Sequence, residues 1–107
     1  MIIQRKMKAH NNYWIDTNII LRYITNDNEE LSPIAGSIIK RFAKLEANGF
    51  INTLVLHETI YVLENVYSVR RKTIVEHVSN LISISGIQIV DLEKELVKFL
   101  IINFMNL

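Results

Sequence analysis

Two carboxylates in this chain stand where a hard metal ion would be held. Asp16 leaves the apolar run Tyr13-Trp14-Ile15, and Glu58 lies just beyond a second one, Phe50-Ile51-Asn52-Thr53-Leu54-Val55. At the carboxyl ends of neighbouring parallel strands, such a pair is suited to Mg2+, with waters and a substrate phosphate completing the shell. Each acid alone has a simpler use. Aspartate is a common helix cap, and a glutamate opening a helix is favoured by the helix dipole. Taken singly they read as structural residues; taken together they read as a metal site.

The other chemistry-bearing residues do not extend the pair. Asp27 reads as a solvated turn residue. Asp91 ends a strand and could approach the same cleft, but reads first as the cap of the last helix. Glu64 faces solvent or pairs with a base. His57, next to Glu58, is a candidate general base whose simpler role is a packed or capping histidine, and His10 and His77 have no metal-ligand spacing. Basic residues gather at Arg5-Lys6-Lys8, Lys40-Arg41-Lys44 and Arg70-Arg71-Lys72. The first two groups read as a loose tail and an exposed helix face. Arg70, Arg71 and Lys72 are candidate phosphate contacts, which would give salt-sensitive, sequence-independent affinity for RNA. Tyr13, Trp14, Tyr61 and Tyr67 fall on apolar faces and read as core.

Positioning such a pair takes a sheet. Residues 13–15, 50–55 and 87–90 read as short apolar strands, the first fit to be buried on both faces. Between them the spacing is helical. Ile19, Ile20, Leu21 and Tyr23 follow a cap at Asp16 or Asn18, and Ser32-Pro33 starts a helix that carries Ile34, Ile38, Phe42 and Leu45 and closes at Asn48-Gly49. Residues 57–67 form a helix with Ile60, Leu63 and Tyr67 on one stripe. A further helix, 71–83, buries Ile74, Val78, Leu81 and Ile82 and stops before Gly86. The last helix follows Asp91, with Glu93 and Glu95 at its positive end. Alternating strands and helices predict a parallel α/β sheet with right-handed crossovers.

Composition narrows the function classes. The chain has 107 residues, half of them apolar, which suits one domain with a single core. A net charge of +1 gives no global pull toward nucleic acid or membrane, so any such binding must be local. The absence of cysteine excludes disulfides and thiol chemistry. The densest apolar run, Phe99-Leu100-Ile101-Ile102, is too short to span a bilayer, and the N-terminus lacks a signal-peptide core. A soluble, cytoplasmic protein is expected.

The segment Tyr-Trp-Ile-Asp-Thr-Asn-Ile-Ile-Leu-Arg-Tyr resembles the opening strand and turn of PIN-domain proteins of the VapC toxin type. Leu56-His57-Glu58-Thr59-Ile60-Tyr61-Val62-Leu63-Glu64-Asn65-Val66-Tyr67 is similar to their second signature, an acid heading an apolar helix. The order of the later elements matches from Tyr13 to about Leu107. The resemblance implies a PIN-like three-layer α/β/α fold with about three strands, in residues 13–107, after an N-terminal extension over 1–12. It implies a Mg2+- or Mn2+-dependent endoribonuclease, the toxin of a toxin–antitoxin pair. Asp16 and Glu58 would be its first metal-binding and catalytic acids, and Thr17 and Asn18 their supports. An antitoxin protein and RNA are the implied partners.

The family pattern continues with further aspartates on a helix, a strand and often a last acid. None follows here, so the domain is expected to be C-terminally incomplete. The first strand would be central in the family's sheet, leaving an unpaired edge. With the apolar last helix, this predicts a homodimer or a swapped oligomer. Little ribonuclease activity is expected of the chain, which would otherwise act as an inactive, antitoxin-binding interaction module.

Overall fold

In the computed structural model of the protein, the structure describes residues 11–106. The basic group Arg5-Lys6-Lys8, His10 and most of the expected N-terminal extension lie outside the described residues. The elements are β1 (Asn12–Trp14), α1 (Thr17–Thr25), α2 (Leu31–Ala43), β2 (Asn48–Ile51), α3 (Thr53–Asn65), α4 (Arg71–Ile82), β3 (Ile87–Ile89) and α5 (Lys94–Met105). The strands are parallel in the order β1-β2-β3, so the architecture is α/β, as the alternation of elements predicts.

Register follows from which side chains must be buried. Trp14 stands level with Phe50, and Ile51 with Ile89. Ile15, Gly49, Ile51 and Ile87 are buried beneath the helices, while their alternates Trp14, Phe50 and Gln88 project from the opposite face. The core joins Ile20, Ile39, Phe42, Leu63, Ile74, Val78 and Ile82 to these strand residues. Phe42 sits where α2 meets the sheet, so close that two glycines are required. A Cβ on Gly49 would lie 2.8 Å from the Phe42 ring, and one on Gly86 would strike the Phe42 carbonyl. The Gly49 amide donates to the Gly86 carbonyl at 2.7 Å, which locks the start of β2 to the start of β3.

Several local expectations are corrected by the hydrogen bonds. The second strand ends at Ile51 rather than at residue 55, because the Asn52 side chain accepts the Val55 amide at 2.9 Å and starts α3. Thr53, Leu54 and Val55 are therefore helical. Helix α2 starts at Leu31, not after Ser32; Asn28 Oδ1 accepts the amides of Glu30 and Leu31, and the Ser32 hydroxyl turns back to the Asn28 amide. Asp91 does not cap the last helix, which begins at Lys94. Its carboxylate instead accepts the Thr53 amide at 3.0 Å and the Thr53 hydroxyl at 2.7 Å. It thus satisfies an orphan donor at the start of α3.

The aromatic residues divide. Trp14 is 72% exposed, Tyr61 59% and Tyr13 38%, against the expectation that all three are core, and Tyr67 is half-buried. Trp14 emerges because β1 is the edge strand and its neighbour Phe50 covers only one side of the indole, at 6.0 Å between ring centroids. Among the described residues no helix is long and apolar enough to cross a membrane.

The close approach at Phe42 gives a stability test. Gly86→Ala forces a backbone carbonyl to move and should cost about 1–3 kcal/mol. Gly36→Ala, within α2 and in open space, should be neutral or stabilising by up to ~1 kcal/mol. Urea denaturation of the two variants checks this; equal stabilities would mean that the sheet and α2 are not locked through Phe42.

Candidate functional site

Asp16 lies two residues past the end of β1 and caps α1. Its backbone is extended, and its Oδ1 accepts the Ile19 amide at 3.0 Å. Because Trp14 and Phe50 are in register, Asp16 stands level with Asn52, the cap of α3. Glu58 lies in the second turn of α3, further along the helix than a residue that opens it. The Thr17 hydroxyl, at the first position of α1, donates to Glu58 Oε1 and ties the two helices together.

These residues line one cleft of about 590 Å³ between α1 and α3. Thr17, Asn18, Leu21 and Arg22 form the α1 wall, with Asp16 at its head. Val55, Glu58 and Val62 form the α3 wall, a stripe at helical spacing that Val66 continues at the helix's C-terminal cap, and Tyr67 closes it. The four residues expected from the sequence at the head of the site, Asp16, Thr17, Asn18 and Glu58, are thus brought together. Among the described residues, each carboxylate has one oxygen engaged by the protein and one without a protein partner: Asp16 Oδ2 and Glu58 Oε2. Such a donor set fits a hard cation that keeps several waters. No third acid or histidine joins them, since no cluster of three such residues occurs among the described residues.

The remaining candidates lie elsewhere. His57 points to the other side of α3, into a groove of about 380 Å³ that it lines with Tyr61, Leu100, Ile101 and Phe104. It does not share the cleft with Glu58. Arg70, Arg71 and Lys72 start α4, outside the cleft. Arg71 pairs with Glu64 at 2.6 Å and lies 4.8 Å over the Phe104 ring, so it braces α4 against α3 and α5.

Arg22, which the sequence did not single out, and Tyr67, which read as core, occupy the far end of the cleft, with Asp27 beside them. Arg22 Nη1 contacts both oxygens of Asp27, at 3.1 and 3.2 Å, and the Tyr67 hydroxyl donates to Asp27 Oδ2 at 2.9 Å. Asp27 is therefore an organised ion-pair partner rather than a free turn residue. The neighbouring Thr25 hydroxyl, that of Tyr67 and the Arg22 guanidinium favour its charged form and hold its pKa below the usual carboxylate value. Tyr67 and Asp27 in turn raise that of Arg22. The signal in the sequence was the one-turn spacing from Asn18 to Arg22, which places both on one helix face.

The family model described as PIN domain matches residues 13–99, most of the chain. No curated protein and no solved structure gives a significant match.

The Asp27 network has a pH signature. A depressed carboxylate adds stability above its unfolded pKa, about 4, and that contribution is lost as pH falls through the lower folded value. Tyr67→Phe removes one donor and should raise the Asp27 pKa toward its ordinary value. Carboxyl-carbon NMR titration reads this directly, and an unchanged midpoint would show that Tyr67 does not hold Asp27.

Proposed function

Since the chain belongs to the PIN-domain family, a nuclease-type family generally dependent on divalent metal ions, we propose that it is a VapC-like endoribonuclease cutting RNA phosphodiester bonds at Asp16 and Glu58. The observation that carries this reading is the shared cleft, in which the carboxylate capping one helix and one on its neighbour each keep an oxygen uncommitted among the described residues. Mg2+ or Mn2+ is the ion that this all-oxygen donor set suits.

Asp16 and Glu58 would hold the cation, and the Asn18 side chain stands beside them. Such an ion supplies Lewis-acid polarisation of a phosphoryl oxygen and a more acidic water. The protein's own part is placement. The Asp16 cap fixes one carboxylate relative to the end of β1. The Thr17 hydroxyl fixes the rotamer of the other, as hydrogen bonds behind a metal ligand generally do. Leu21, Val55 and Val62 line the cleft beside the acids, which themselves stay exposed to solvent.

A two-carboxylate site binds its ion weakly and relies on water and phosphate for the remaining ligands. Activity should therefore be low and should rise with metal concentration well into the millimolar range. The toxin role, with neutralisation by an antitoxin, and self-association as a dimer or swapped oligomer belong to the same proposal. Leu96, Phe99, Leu100 and Ile102 on α5 support them, because exposed apolar residues along one helix suit a covered surface. The same surface supports a second reading, an antitoxin-binding module without catalysis.

Cleavage of single-stranded and structured RNA by the purified chain tests both. The expected result is slow cleavage that EDTA abolishes. Asp16→Asn and Glu58→Gln should each reduce it about 100-fold, and Thr17→Val about 10-fold. Chelator-resistant cleavage that survives Asp16→Asn would overturn the metal mechanism. No cleavage at any metal concentration would leave the binding-module reading.

A further inference from the structure

The α1–α3 cleft is polarised along its length. Asp16 and Glu58 stand at one end, Arg22 and Tyr67 at the other, and Leu21, Val62 and Val66 lie between. A groove with a cation-binding end, an apolar middle and a guanidinium end matches the sequence of groups along a nucleic-acid strand. Resting on the ribonuclease reading above, we propose that Arg22 is a phosphate-binding residue. It would hold the RNA phosphate next to the one at Asp16 and Glu58, with the intervening ribose or base against Val62, Val66 and the Tyr67 ring.

Four observations carry the assignment. Arg22 lies six residues beyond Asp16, which caps its helix, and that is ~9 Å of helix rise, so the two stand at different levels of the cleft. Its ion pair is with Asp27, beyond the C-terminal end of α1, and not with Asp16 or Glu58. The pair therefore keeps the guanidinium from neutralising the acids that would hold the metal ion. Among the described residues the Asp27 carboxylate contacts Nη1 alone, with the Tyr67 hydroxyl at Asp27's other side, which leaves an edge of the guanidinium for the two-point contact it makes with phosphate. Tyr67 holds Asp27 in turn, and its ring lines the cleft as a surface on which a base can stack.

Binding of a short, fluorescently labelled single-stranded oligoribonucleotide to the full chain, followed by anisotropy in EDTA across a salt series, tests this. Arg22→Gln should weaken binding about 10-fold. It should also make the logarithmic salt dependence shallower by ~0.7, the value for one phosphate contact on a single strand. Asp27→Asn breaks the same ion pair but leaves the guanidinium and removes a competing negative charge, so it should bind at least as tightly as the parent chain. Arg22→Lys, which keeps the charge, should retain the salt slope with a loss of about 3-fold, and it serves where Arg22→Gln does not fold.

An unchanged slope in Arg22→Gln would overturn the proposal. So would an equal loss in Asp27→Asn, because Arg22 would then act only by bracing the turn. If the parent chain neither binds nor cleaves RNA, the ribonuclease reading fails and this assignment falls with it. If the parent cleaves and Asp16→Asn abolishes cleavage while Arg22→Gln binds normally, only the assignment of Arg22 fails.

Discussion

The in-register parallel pairing of three very short strands is the constraint on which the rest of the structure depends. Trp14 opposite Phe50 puts Asp16 level with Asn52, and Ile51 opposite Ile89 brings Asp91 level with Thr53. Three polar side chains are thus aligned at the carboxyl end of the sheet, and each satisfies amides at a helix start. A slip of one residue would turn Ile15, Ile51 and Ile87 out of the core and misplace every cap. Strands of three or four residues carry few ladder bonds of their own. What fixes the register is the packing at Phe42 and the backbone contact between Gly49 and Gly86.

From that alignment the cleft follows without further design. Helices α1 and α3 leave neighbouring strands from equivalent positions and run side by side, so residues one turn apart on each face their counterparts. Thr17 meets Glu58 across the gap, and Arg22 reaches the level of Tyr67. Opposite charges at the two ends are kept apart by local partners, Thr17 for Glu58 and Asp27 for Arg22. Had the guanidinium collapsed onto the carboxylates, neither end could bind a ligand without breaking an ion pair first.

How much of this was legible in the sequence depends on how local the determining interaction is. Helix α4 and strand β3 were readable nearly to the residue, since apolar periodicity and Gly86 define them. The second strand was overextended because Leu54 and Val55 continue an apolar run, and a short apolar run does not distinguish strand from buried helix. Asn52 as a cap was the missed signal. The exposure of Trp14 and the redirection of Asp91 to Thr53 were not local at all; both depend on which strands are neighbours, a property of the assembled sheet. The head of the site was legible because Asp-Thr-Asn after a strand and a glutamate on the helix after the next strand are tied to topology. The Arg22–Asp27–Tyr67 network was not, as Tyr67 lies 40 residues from Asp27.

Asp16 shows why capping and metal binding need not compete as explanations. A carboxylate has two oxygens; Oδ1 is engaged by the Ile19 amide, and that bond orients Oδ2 as firmly as any bond placed behind a metal ligand would. The capping role and the metal-binding role proposed for this residue would then be two consequences of one geometry, and the choice of substitution decides which of them is measured. Alanine would remove the cap together with the charge, costing about 1 kcal/mol of stability and confounding the two. Asparagine caps a helix about as well as aspartate, so Asp16→Asn leaves α1 anchored and withdraws only the negative charge. A loss of activity in that variant at unchanged stability therefore isolates what the carboxylate does beyond holding the helix.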